Sequence, residues 1–315
     1  MPEALSNAAA RFVDSLKVNS ISKAVRRGRS VVIKRRHVYS EQLTELANVY
    51  FRIAGLPIRF WTKVQDWQRW EVGCFKMLND DRFRASRLRN NAICIDQLPG
   101  ESLWEHLNRH TLSRQMVEAA GLEFRRAHQF RSKEFRGAWS HGDAAMANVI
   151  YDEKSNRARL IDFEIVHDKA LPAISRHADD LLIFMLDLIA GAPGRQWLPL
   201  TLAFLNAYDN APVIAQLTRQ LAPPSGMAWI WWGVRTSFAN PAKIRERMAK
   251  LRDLTSHLNH YRAVAAARVR QRRRASITCQ AISAGMPRPI SRARQTRERA
   301  KAPSPEMPSK LPTTR

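Results

Sequence analysis

This chain is poor in the residues that cross-link proteins, anchor them in membranes or supply negative charge. Its three cysteines, Cys74, Cys94 and Cys279, show neither metal-ligand spacing nor a pairing pattern. That excludes a disulfide framework or a thiolate zinc site and fits a reducing compartment. The longest apolar run, Leu181 to Ala190, falls short of the ~20 residues a membrane span needs and contains Asp187. The start, Met1-Pro2-Glu3-Ala4, lacks the apolar centre of a signal peptide. A cytoplasmic protein is therefore expected. Acidic residues are also scarce, 28 against 52 Lys and Arg, for a formal charge of +24. From Arg268 to Arg315 there are 13 basic and 2 acidic residues, which is +11 and leaves +13 for the rest. Such a balance favours anionic partners: nucleic acid, acidic lipid headgroups or phosphorylated glycans.

What is present reads as a folded chain of 315 residues with nine tryptophans and no internal repeat. Ser30-Val31-Val32-Ile33-Lys34 is a β-branched strand that ends on a lysine. Helical spacing covers Ser40 to Ala54, and Asp66 to Leu78 with Glu71 inside it. Short strands follow at Ala85–Leu88 and Ala92–Asp96, and Leu98-Pro99-Gly100-Glu101-Ser102 ends a strand and starts a helix. A long helix is expected over Ser113–Phe130, two short strands around the Asp152–Asn156 turn, and helices from Ala178 onward. Strands first and helices later imply a β-containing lobe over residues 1–97 and a larger helical lobe over 98–264. Residues 265–315, rich in Arg, Pro and Ser and including Arg272-Arg273-Arg274, read as a basic disordered tail. Such a tail would make weak, salt-sensitive contacts with nucleic acid or a membrane surface.

The chemistry concentrates in His141-Gly142-Asp143-Ala144-Ala145-Met146-Ala147-Asn148 and in Leu160-Ile161-Asp162-Phe163-Glu164. An aspartate, an asparagine five residues later and a second aspartate after an apolar run are what phosphoryl transfer from ATP requires. A carboxylate orients the hydroxyl nucleophile and accepts its proton, while a carboxylate and an amide give hard oxygens to a divalent ion.

These motifs resemble those of the protein-kinase-like phosphotransferases, in the branch that holds aminoglycoside, choline and lipopolysaccharide core kinases. The resemblance runs from about Ser30 to Ala190. It implies an α+β, two-lobed fold, with ATP and Mg²⁺ or Mn²⁺ as cofactors. It also implies that Asp143 is the catalytic carboxylate, His141 the brace of its loop, and Asn148 and Asp162 the metal ligands. Lys34 resembles the lysine that contacts the α- and β-phosphates, and Glu71 its ion-pair partner. Gln97 and Leu98 resemble the hinge whose backbone holds adenine, with Glu101 placed to reach the ribose. Asp180, with Asp179 as the neighbouring alternative, resembles the aspartate that supports the catalytic loop from beneath.

One element of the family is missing. No Gly-x-Gly-x-x-Gly precedes Lys34; only Gly28 lies nearby, so a phosphate-covering loop would have to come from the amides and arginines of Ser20–Arg29. Trp229, Trp231 and Trp232 read first as core, with an acceptor-binding wall as the alternative. The positive charge points to a hydroxyl acceptor that is anionic or membrane-associated, such as lipopolysaccharide core. It also admits a peripheral position at the inner membrane face. A protein serine/threonine kinase, or a pseudokinase that binds anionic partners through its basic surface, are the competing readings.

Overall fold

Why the chain folds as it does is clearest in its amphipathic helices. The computed structural model describes residues 18–79, 82–236 and 239–257. The expectations for 265–315 and for Cys279 lie outside the described residues. Strands β1 (Asn19–Arg26), β2 (Arg29–Arg36), β4 (Ala85–Leu88) and β5 (Ala92–Asp96) form an antiparallel sheet in the order β1-β2-β5-β4. The β1–β2 connection is the two-residue turn Arg27-Gly28, with φ of 51° and 74°. Positive φ at both positions matches the twist of a tight hairpin, and glycine supplies one of them without strain. Between β2 and β4 come helix α1 (Ser40–Ile53), strand β3 (Ile58–Phe60) and helix α2 (Val64–Asn79). Helix α2 buries Trp67, Glu71, Cys74, Phe75 and Leu78 along one stripe, at the three- and four-residue spacing of a helix face.

The second lobe opens with β6 (Glu101–Ser102) and the short helix α3 (Leu103–Asn108). There the Ser102 side chain accepts from the Glu105 amide while Glu105 accepts from the Ser102 amide, a reciprocal cap. Helix α4 (Arg114–Ala127), strands β7 (Arg131–Ser132) and β8 (Gly137–Ala138), and the hairpin β9 (Val149–Asp152) and β10 (Arg157–Leu160) follow. Then come β11 (Ile165–His167) and helices α5 (Ala173–Gly191), α6 (Trp197–Tyr208), α7 (Ala211–Gln220) and α8 (Ala228–Thr236), with a further helix over residues 241–257. Helix α5 is apolar on nearly every side because it is surrounded. Phe124 of α4, Phe184 of α5 and Phe204 of α6 meet with ring centroids 4.3–5.5 Å apart. Antiparallel pairing of β11 with β3 joins the two lobes.

This is an α+β arrangement of two lobes, with its β-rich part first and its helical part second. Helix α5 begins at Ala173, ahead of Arg176 and Ala178, and buries Arg176 and His177 in spite of their polarity. No helix among the described residues is long and apolar enough to cross a membrane.

Candidate active site

The loop at His141 is fixed by glycine and by one buried carboxylate. Gly142 has φ of +90°, and a Cβ there would stand 2.5 Å from the Ile165 carbonyl oxygen. Only glycine fits that close approach. Asp180, fully buried on α5, accepts from the His141 and Gly142 amides, both at 2.8 Å, and faces His128 Nε2 at 3.0 Å. Burial opposes its charge, but His167, His128 and His141 and these hydrogen bonds overcome that and hold its pKa below the usual carboxylate range. Its neighbour Asp179 lies 3.0 Å from His167 Nε2 instead. His128 also meets the Tyr208 hydroxyl at 2.9 Å and stacks on His177 at 3.9 Å. Burial, followed by the proximity of His128, lowers the His177 pKa to about 3.

His141 lies within this support. Its Nδ1 accepts from the Asp143 amide at 3.3 Å, so the proton sits on Nε2, 3.0 Å from the Ile161 carbonyl. Burial lowers its pKa and keeps that neutral tautomer. The ring thereby ties the Asp143 loop to the strand that ends at Asp162. Asn148 closes a single 3-10 turn and donates through Nδ2 to the Asp143 carbonyl at 2.8 Å. Asp187, buried on α5, accepts from the Met146 amide at 2.7 Å, and burial raises its pKa to about 7.

Across the cleft, Lys34 gathers three carboxylates. Its Nζ lies 2.6 Å from Asp162, 3.2 Å from Glu164 and 3.4 Å from Glu71. Burial alone would discharge the amine, but these acids outweigh it and hold its pKa well above the ordinary lysine value. Burial raises Glu71 to about 7 in spite of Lys34. For Asp162 the attraction of Lys34 outweighs burial, and its pKa falls. Asp162 has φ of 63°, a left-handed backbone uncommon for a non-glycine residue and typical of functional turns. Two contacts pin the residue after it: the Phe163 amide donates to Glu71 at 3.1 Å, and its carbonyl accepts from Trp70 Nε1 at 2.7 Å.

The hinge positions are more constrained than expected. The Gln97 amide donates to the Ser30 carbonyl at 2.9 Å as a continuation of the sheet. That commits one of the backbone groups expected at the hinge, the Gln97 amide, to the sheet. Glu101 pairs with Arg109, which follows α3, and lies 4.0 Å from His106 Nε2, so its carboxylate already has a partner. The arginine-rich turn is a correction. Lys34 pairs with Ile21 and Ile93, whereas the turn at Arg27-Gly28 lies six residues along β2, roughly 20 Å away, where Arg29 pairs with Asp96. That end of the sheet faces the hinge. The described residue nearest the phosphate end is Asn19 at the start of β1, which donates to Glu164.

The sequence left four contributors without an assigned role. Glu164 follows Asp162 by two residues, and a second acid there was the available signal. Arg36 alternates with Lys34 on β2, and its burial, which lowers its pKa to about 10, was not readable from a run of basic residues. Asp187 interrupts an apolar run, itself a sign of a buried role. Arg235 on α8, whose Nη2 lies 3.1 Å from Asp143, comes from far along the chain and gave no local signal. Trp231 and Trp232 are half-buried and line a cavity.

Among the described residues no group of three or more His, Cys, Asp or Glu forms a metal cage by itself. The oxygens nevertheless fit a Mg²⁺ or Mn²⁺ ion held partly by phosphate and water. Asn148 turns its nitrogen towards Asp143 and keeps Oδ1 as a hard acceptor, and three carboxylates share one ammonium at Lys34.

No family model and no curated protein matches this sequence. Among solved structures, an ethanolamine kinase from Plasmodium vivax is similar at 9% identity. The match covers 82% of this chain and 89% of that one, with a TM-score of 0.39. The Rv3197–erythromycin complex from Mycobacterium tuberculosis is similar at 12% identity over 75% of this chain and 71% of that one, with a TM-score of 0.34.

Proposed function

We propose that this chain is an ATP-dependent phosphotransferase that moves the γ-phosphoryl group onto a hydroxyl. The observation that carries this reading is the convergence of Lys34, Glu71 and Asp162 on one side of His141, with Asp143 and Asn148 on the other. Lys34 contacts the phosphates, held in place by Glu71. Backbone groups of Gln97 and Leu98 meet adenine at the hinge, with the lobes dividing near Gln97. Asn148 and Asp162 would hold a divalent ion, which would supply charge neutralisation to the triphosphate. Asp143 orients the acceptor hydroxyl and takes its proton as the oxygen–γ-phosphorus bond forms. The bond from that phosphorus to the β–γ bridging oxygen breaks, and ADP leaves. The rate comes from positioning and electrostatics.

The basic surface supports an anionic or membrane-associated acceptor, such as a phosphorylated glycan, and speaks against a polycationic antibiotic. A pseudokinase reading has one observation in its favour: Asp162 and Asp143 are each already paired with a cation of the chain, Lys34 and Arg235. Thermal denaturation with ATP and Mg²⁺ or Mn²⁺ separates the two readings. The expected result is a rise in Tm for the native chain that is lost in Asp162→Asn. If ATP stabilises neither protein, the phosphotransferase reading is wrong.

A further inference from the structure

Beside Asp143 lies a cavity of about 340 Å³, within the size range of small-molecule sites. Its walls are largely apolar: Leu56 and Ile58 from the first lobe, Leu182 and Leu186 from α5, Trp231 and Trp232 from α8. The charged lining consists of Arg219, Arg235 and Asp179, and Asp179 is already engaged by His167. Arg235 belongs to both the cavity and the catalytic loop. Its guanidinium lies 5.1 Å from the Trp231 ring centroid, and its Nη2 is 3.1 Å from Asp143 Oδ1 and 3.5 Å from the Gly142 carbonyl. Two polar atoms on this wall, Arg235 Nε and Gln220 Oε1, are buried without a hydrogen-bond partner. Unpaired buried groups of this kind are uncommon and call for an explanation.

The oxygen that Arg235 occupies belongs to the carboxylate an acceptor hydroxyl must reach. An incoming alcohol therefore competes with the guanidinium for Asp143. It does so at least cost when it brings an anion to replace Asp143 as the partner of Arg235. Because Arg235 and Asp143 are in contact, that anion and the hydroxyl must sit close together on the ligand, with the apolar remainder in the cavity. A cationic alcohol offers no such exchange and meets Arg219 and Arg235.

Resting on the reading of Asp143 as the acceptor-orienting carboxylate, we propose that Arg235 selects the acceptor. It holds Asp143 while the site is empty and yields it to an amphiphilic alcohol whose anionic group lies beside its hydroxyl. Arg235 is a specificity-determining and positioning residue, and the acceptor class is a hydroxylated anionic amphiphile.

Three probes of one length and different charge test this: 3-hydroxydecanoate, 1,3-decanediol and 1-amino-3-decanol. ADP release and phosphorylated product, read by mass spectrometry, are measured with ATP and Mg²⁺. The native chain is expected to use the acid with a kcat/KM at least about tenfold above the diol, and higher still above the amine. Arg235→Gln should bring the acid down to the level of the diol and raise acceptor-independent ATP hydrolysis, because Asp143 is released. Arg235→Lys should restore part of the preference. Arg219→Gln, at the far wall, should lower it less, and a Tm close to native in each variant shows that folding is not the cause. Equal use of the three probes, or an unchanged preference in Arg235→Gln, overturns the proposal. A chain that binds and hydrolyses ATP but neither binds nor phosphorylates any probe refutes this inference alone. A chain that does not bind ATP refutes the phosphotransferase reading beneath it.

Discussion

Replacing Asp180 should damage the protein in two separable ways. Its carboxylate accepts the His141 and Gly142 amides and faces His128, and it is fully buried. Asp180→Ala leaves two loop amides and an imidazole without their acceptor. Each unpaired buried group costs about 1–3 kcal/mol, and breaking such a buried charged network about 3–5 kcal/mol in all. In a domain of this size each kcal/mol is worth about 2–4 °C, so Tm should fall by roughly 6–20 °C. Asp180→Asn keeps one oxygen but turns an NH₂ towards a donor, and should lose about half as much. The sign of the pH dependence is fixed by the lowered pKa of Asp180. Its contribution is present above the unfolded carboxylate value near 4 and is lost as pH falls towards the lower folded value. The gap between native and Asn proteins should therefore close on acidification. Asp143→Asn is the contrast. That side chain is about one-third exposed, so Tm should shift by no more than about 2 °C, while phosphoryl transfer should fall by about 10²–10⁴. Differential scanning calorimetry between pH 3 and 8, with turnover measured in parallel, reads both effects. An Asp180→Ala protein melting within 2 °C of native would refute the assignment of Asp180 as the loop's anchor.

Other groups give further expectations. Burial raises Asp187 to about 7, so its ionisation subtracts stability progressively from about pH 4 up to pH 7. Asp187→Asn, whose amide oxygen still accepts the Met146 amide, should melt higher than native at pH 8, by about 2–4 kcal/mol, and lose that advantage towards pH 4. Lys34→Met removes the cation shared by Glu71, Asp162 and Glu164. It should abolish ATP binding, measured by fluorescence of a nucleotide analogue, and lower Tm most at high pH, with partial recovery near pH 5 as the carboxylates take up protons. Cys74 is buried, and burial pushes its thiol well above the ordinary range. At pH 8 mass spectrometry should find it unmodified by iodoacetamide in the native protein and alkylated after unfolding.

Local pattern carried most of the fold because it is written locally. The β-branched run in Ser30–Lys34, the helix stripe ending at Leu78 and the apolar strand at Ala92–Asp96 are each local in sequence and match the observed elements. The Asp143, Asn148 and Asp162 positions were legible for the same reason, since one loop and one hairpin carry them. What escaped notice depends on distant partners. Whether Gln97 keeps a spare amide is decided by Ser30, 67 positions earlier in the chain. Whether the arginines near Gly28 reach the phosphates is decided by strand register, which places Lys34 opposite Ile21 and the turn at the far end of the sheet. Composition gave the abundance of arginine without its placement. Arg36 and Arg235 are in or beside the site, whereas Arg27 and Arg29 lie away from it.

The pairing of each acidic group in the cleft bears on the charges a substrate must bring. Asp162 sits 2.6 Å from Lys34, and Asp143 sits 3.1 Å from Arg235. Both carboxylates are only partly buried, and each is steadied by a cation that the chain itself places beside it. Both cations are mounted on long side chains, and an incoming anion can take each of them over: a phosphate for Lys34, an acidic group beside the acceptor hydroxyl for Arg235. The same ion pairs that resemble a closed, inactive site thus define the charges a substrate must carry to open it. A double substitution tests that logic. If the two releases are independent, Lys34→Met with Arg235→Gln should show additive changes in Tm; if one closed network holds both carboxylates, the double variant should depart from additivity by more than about 0.5 kcal/mol. Additivity would make nucleotide and acceptor admission separate events, and coupling would make binding of one a condition for binding the other.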